Sequence, residues 1–185
     1  MCIQGRLSKI RDMEVNENIA GSTDVNTYIT SAFKCLLADE FIIMNKTSSC
    51  LLDASSPFIS LNNYFFQNLY DEVKRNSELV TSALKQKTKN VCITINDIVT
   101  NTSLTKKDIN WKSKVAVLET LLADNLVVLS RLDEVITDLT VYSEKECKAV
   151  FATVRESHRR ICMKLRLLIK KVMNAKTINT DKEPG

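Results

Sequence analysis

VAVLETLLADNLVVLSRLDEVITDL (residues 115–139) and CKAVFATVRESHRRICMKLRLLIKKV (residues 147–172) carry apolar side chains at alternating three- and four-residue steps. In the first stretch the series is Val115, Leu118, Leu122, Asn125, Leu129, Leu132, Ile136 and Leu139. In the second it is Cys147, Phe151, Val154, His158, Ile161, Leu165, Leu168 and Val172. Residues so spaced share one face of a helix, and a sustained repeat of about 3.5 residues is the seam of a coiled coil. The connection near 140–143 is short, so the two helices are expected to fold back on each other.

Antiparallel packing then pairs Ile136 with Cys147, Leu132 with Phe151, Leu129 with Val154, Asn125 with His158, Leu122 with Ile161 and Leu118 with Leu165. The polar member of each seam falls in the same layer. A buried amide or imidazole without a partner costs about 1–3 kcal/mol. Two that meet satisfy each other and penalise any slipped pairing. Asn125 and His158 are therefore read as a register layer, and Asn125→Leu as a change that stabilises the hairpin while loosening its register. The same register sets Asp133 near Lys148.

Working outward, Thr105 to Asp108 resembles a capping box, and Ser143 to Glu146 fits one, placing helices at about 106–140 and 144–175. Upstream, Val25, Ile29, Ala32, Leu36 and Ile43 predict a helix over about 24–45, with Asp24 near its start. KTSSCLLDASSPFIS (46–60) is small and polar and reads as a loop. Phe66, Leu69, Val73, Val80 and Leu84 mark a second helix from about Leu61 to 88. Between 89 and 101 the β-branched run VCITINDIV is compatible with a strand, but a lone strand has no partner, so helix is expected. Leu121, Val128 and Val135 form a second apolar row that a two-helix hairpin leaves uncovered. They need the first two helices or another chain. The expected fold is all-α, an elongated four-helix arrangement with a long antiparallel coiled-coil-like hairpin. It forms one domain over 23–175, between a flexible arm at 1–22 and a tail at 176–185.

Composition narrows the chemistry. The three glycines are Gly5, Gly21 and Gly185, which excludes a glycine-rich phosphate loop and argues against an all-β fold. The six cysteines form no C-x-x-C pair and His158 is the single histidine, so no zinc site is expected. Adjacent acids at Asp39-Glu40, Asp71-Glu72 and Asp133-Glu134 point to different faces of a helix, and no E-x-x-H motif exists for a di-iron helical site. No catalytic residue, cofactor or metal is expected. MCIQGRLSKIRD lacks the apolar core of a secretory signal, and no run reaches the roughly 18 apolar residues of a membrane span. An intracellular, cytoplasmic chain is expected.

Charge is uneven. Residues 155–176 hold eight Lys and Arg against Glu156 alone, so the remainder is net acidic although the whole chain is +4. A basic segment suggests an anionic partner. The leading expectation is a non-catalytic helical subunit of a multiprotein assembly in a microtubule, spindle or kinetochore setting. Its partners would be other helical subunits and an acidic surface such as tubulin. Leu121, Val128, Val135, Arg155, Arg159, Arg166 and Lys170 are the candidate partner-binding residues. Asp108-Ile109-Asn110-Trp111 followed by KSKVAVLETLL resembles the central-helix motif of the B-cell-lymphoma-two family, NWGR before an apolar helix. That resemblance implies a helical apoptosis regulator, with Lys112 and Ser113 standing where the family has the Gly and Arg that meet its ligand. A nucleic-acid-binding helical protein is the remaining alternative, predicted by the basic segment to bind with steep salt dependence.

Overall fold

The computed structural model describes residues 21–52, 63–88, 94–104 and 113–180. These form five helices: α1 (Gly21–Leu52), α2 (Asn63–Lys87), α3 (Ile95–Asn101), α4 (Lys114–Val141) and α5 (Lys145–Thr180). No strand occurs among the described residues. The chain is all-α, as expected.

Side-chain pairs fix the directions of the helices. Lys46 meets Asp124 and Tyr28 meets Asp138, so α1 and α4 run antiparallel. Phe33 stacks on Phe151 with ring centroids 4.6 Å apart, and Glu40 meets His158, so α1 and α5 run parallel. Glu72 meets Lys164 and Lys87 meets Glu144, so α2 and α5 are antiparallel. It follows that α2 and α4 point the same way. Two consecutive long helices can be parallel only if the chain between them crosses the length of the bundle, and α3 lies on that crossover. The arrangement is a four-helix bundle with a single long crossover.

The core lies between the four long helices. Ile29, Phe33, Leu36, Ile43, Phe66, Val73, Val80 and Leu84 come from α1 and α2, and the facing seams of α4 and α5 complete it. Leu121, Val128 and Val135 are buried in this core, so the second apolar row of α4 is covered by the chain's own helices and leaves no surface for a partner. That corrects their assignment as partner-binding residues. The reason is that α1 packs on α4, and α2, which packs on α1 and α5, closes the bundle on the far side of the core.

Several boundaries move. Residues 46–52, expected as loop, continue α1. Thr47 and Ser49 satisfy their hydroxyls on the carbonyls of Ile43 and Asn45 four residues back, so small polar side chains do not end the helix. The 89–101 stretch contributes α3, opened by a capping box between Thr94 and Asp97. The Thr105–Asp108 box and Asn110, Trp111 and Lys112 lie outside the described residues. Ser113 caps α4 instead, accepting from the Ala116 amide at 3.1 Å. Ser143 does not cap α5. It sits at φ 58° in the turn, where the Ser143 and Glu144 amides donate to the Thr140 and Leu139 carbonyls. This is a Schellman closure of α4 with serine in the position glycine usually takes. α5 continues to Thr180, into the expected tail. Among the described residues, no helix is long and apolar enough to cross a membrane.

Candidate functional site

The middle of the bundle is polar. Asn125 and His158 do meet: the ring Nδ1 lies 2.7 Å from the amide oxygen of Asn125. The layer has a third member that seam spacing alone did not reveal. Glu40 of α1 places Oε1 2.8 Å from His158 Nε2. All three side chains are fully buried.

The protons can be counted. The Asn125 amide nitrogen donates to the Leu121 carbonyl at 2.7 Å, so its oxygen faces the ring and accepts. His158 Nδ1 therefore carries a hydrogen. One proton then lies between Nε2 and Glu40 Oε1, and the pair is neutral overall whichever atom holds it. Glu40 Oε2 is buried without a hydrogen-bond partner.

Two further carboxylates flank this layer. Asp39 receives Thr102 Oγ1 and the Ser103 amide, both at 2.8 Å, Ser103 Oγ at 2.9 Å, and Arg131 Nη1 at 2.8 Å. It thus ties the end of the crossover to α1 and α4. Asp124 is reached by Lys46 Nζ at 2.7 Å. Burial pushes the Asp124 carboxyl up and the nearby charge of Asp39 adds to this, against the opposing pull of Lys46. Asp39 and Glu40 turn to different partners, as helix neighbours must.

Nearer the surface, Glu72 accepts Ser157 Oγ at 3.0 Å, Lys164 Nζ at 3.1 Å and Arg160 Nη2 at 3.4 Å. Burial alone would raise its carboxyl, but these hydrogen bonds and charges together hold it below the usual range. Tyr28 donates to Asp138 at 2.7 Å, and burial first, then that carboxylate, push its phenol well above the ordinary value. Cys35, Cys50, Cys147 and Cys162 are buried and form no disulfide among the described residues, and burial raises the thiols of Cys147 and Cys162. An open cleft between α1, α3 and the end of α2 is lined by hydroxyls and amides, including Thr30, Ser31, Thr88 and Asn101, with Lys34 at its side.

The basic residues separate into two groups. Arg155 is held by Asp133 at 3.0 Å, the acid expected to meet Lys148. Arg159, Arg166 and Lys170 are exposed on α5 and make no ion pair among the described residues.

The sequence matches no protein family, and no curated protein matches it. Its fold does match solved structures. Dps from Listeria monocytogenes superposes with a TM-score of 0.70 at 10% identity, over 77% of this chain and 93% of that one. Antigen TpF1 from Treponema pallidum gives 0.72 at 9% identity, over 84% and 99%. A Dps protein from Vibrio cholerae O1, described as a member of a broad superfamily of ferritin-like diiron-carboxylate proteins, gives 0.72 at 9%, over 82% and 96%. The shared property is the fold.

These neighbours overturn the expected function. The bundle is built as in Dps and ferritin-like proteins, so the spindle or kinetochore assembly subunit, the B-cell-lymphoma-two regulator and the nucleic-acid binder are all set aside, and tubulin with them. The seam of α4 and α5 suggests a coiled-coil-like hairpin within a four-helix arrangement. In the fold it is one side of a bundle whose central layer also takes a side chain from α1.

Diiron-carboxylate bundles draw a Glu from each of two helices and a Glu-x-x-His pair from each of the other two. This chain has no Glu-x-x-His and a single histidine. Among the described residues, no three His, Cys, Asp or Glu lie close enough to hold a metal ion. The central carboxylates already face Arg131, Lys46 and His158. The described residues of one chain do not fit a diiron centre inside the bundle.

Asp124, Lys46 and Arg131 were missed in the sequence, and Asp39 and Glu40 stood out there only as adjacent acids on different faces of a helix. A signal was present: both LLADEF at 36–41 and LLADNL at 121–126 set polar side chains inside an apolar run, where a helix has no dry place for them without partners.

Proposed function

We propose that this chain is a ferritin-like subunit that assembles with copies of itself and stores iron as cargo of the assembly. The observation that carries the reading is the extent of the likeness. The match spans 93–99% of the Listeria, Treponema and Vibrio chains, rather than a pair of helices that many bundles share. Iron enters the reading through the description of the Vibrio protein as ferritin-like and diiron-carboxylate. The chain's own contribution is a bundle whose central carboxylates already face Arg131, Lys46 and His158. Iron is accordingly held between or among subunits and not at the centre of one bundle.

Two measurements on the full chain test this. Light scattering on a sizing column reports the subunit number. Aerobic addition of ferrous iron, followed by the same column, reports iron that travels with protein. The expected result is a discrete homo-oligomer that retains more iron than an equal mass of serum albumin. A monomer that retains no more iron than albumin overturns the proposal.

A further inference from the structure

The outer face of α5 carries an arrangement that the bundle uses only in part. Along one row lie Arg159, Met163, Arg166, Lys170 and Met173, and along the next Arg160, Lys164, Leu167 and Lys171, at three- and four-residue steps. All nine are exposed. Met163 and Leu167, 60% and 61% exposed, are adjacent on the helix surface, with cations on either side. Glu72 engages Arg160 and Lys164, leaving Arg159, Arg166, Lys170 and Lys171 without an ion pair among the described residues.

The helix dipole accounts for cations in the last turn only, since its effect fades within that turn. It does not account for Arg159 or Arg166, or for Met163 and Leu167, two large apolar side chains exposed between charges. α2 and α4 run antiparallel to α5 and pair Glu72 with Arg160 and Asn125 with His158, which sets their starts, Asn63 and Lys114, near residue 169 of α5. The basic and apolar face therefore continues to the very end of the bundle.

We propose that this face of α5 docks on an anionic phospholipid surface. Arg and Lys take the headgroup phosphates, while Met163 and Leu167 enter the boundary beneath them. A helix with apolar side chains set among cations suits the interface of a bilayer, where both kinds of group find their solvent. A nucleic-acid backbone would satisfy the charges and leave Met163 and Leu167 wet. The proposal rests on the exposed face and is independent of iron storage.

The test is flotation of the full chain with vesicles of phosphatidylcholine alone and with added phosphatidylglycerol. The expected result is binding to the anionic vesicles only, weakened by salt. Replacing Arg159, Arg166, Lys170 and Lys171 together by glutamine should weaken it roughly tenfold or more. A second variant, Met163→Ser with Leu167→Ser, keeps every charge and should also weaken it several-fold. Both variants change exposed positions, and circular dichroism checks that each folds. No binding to phosphatidylglycerol vesicles overturns the proposal, as it would if copies of the chain cover this face. So does unchanged binding by either variant. Binding to duplex DNA with none to vesicles likewise overturns it. None of these outcomes bears on whether the assembly retains iron.

Discussion

His158 is bonded on both sides of its ring, and this reverses an inference drawn from the seam alone. Seam spacing leaves the second nitrogen of the ring unassigned, so from that pattern alone His158 is free to turn to solvent once leucine replaces the amide. With Nδ1 donating to Asn125 and Nε2 facing Glu40, the leucine instead strands a buried N–H. An unmet buried donor costs about 1–3 kcal/mol, so Asn125→Leu should destabilise the fold by that amount in urea melts. Adding His158→Leu and Glu40→Leu removes every partner at once and should recover most of the loss. A single variant as stable as the parent would show that the layer is not bonded as described. Lys46 and Asp124 obey the same asymmetry with charge added. Lys46→Met should cost about 3–5 kcal/mol at neutral pH by leaving a buried carboxylate alone. The sign with pH follows from burial, which already raises the Asp124 carboxyl. A carboxyl whose folded value lies above its unfolded one contributes most below the unfolded value and loses that contribution as pH rises through the folded value. Removing Lys46 takes away the opposing pull, so the deficit of the variant should shrink on acidification. Urea melts at neutral and mildly acidic pH check this, and a deficit that grows in acid would contradict it.

At the scale of elements, the apolar period was legible wherever a helix has one wet face. The seams of α4 and α5, and the Phe66, Leu69, Val73, Val80 and Leu84 stripe of α2, needed no tertiary information. What stayed hidden was set by partners distant in sequence. Residues 46–52 look like a loop because Lys46, Thr47 and Cys50 are not an obvious core, yet all three are buried once α4 supplies Asp124. Glu40 could be recognised as a polar residue in an apolar run, but not as the third member of the Asn125–His158 layer, because nothing local fixes the position of α1 beside α5. The turn between α4 and α5 shows the reverse error. Ser143 to Glu146 has the spelling of a capping box, but tight closure of α4 claims Ser143 for the left-handed region at φ 58°. A residue with a Cβ pays roughly 1–2 kcal/mol there, partly offset in glycine by its larger loss of chain freedom. Ser143→Gly should therefore stabilise the protein by about 0.5–1 kcal/mol. Thermal melts test it, and a destabilised variant would mean that the serine side chain contributes to the turn in a way its backbone does not require.

The whole molecule is defined by its crossover. Seam spacing predicts that α4 and α5 pair, but it is silent on whether α2 and α4 run parallel, and that choice separates a simple up-and-down bundle from the architecture shared with Dps. Asp39 helps hold the choice in place, joining Thr102 and Ser103 at the end of α3 to Arg131 of α4. The same buried carboxylates bear on metals. A bundle that kept three central acids facing one another would need bound cations to hold them together. Here Arg131, Lys46 and the shared proton of His158 already oppose Asp39, Asp124 and Glu40. The fold of the chain should therefore be independent of metal. Dialysis against a strong chelator should leave the melting temperature of the purified chain unchanged within about 2 °C, since 1 kcal/mol moves it by roughly 2–4 °C for a chain of this size. A drop of many degrees, restored by adding ferrous iron or zinc, would show that the central cations do not suffice and that a metal completes the bundle.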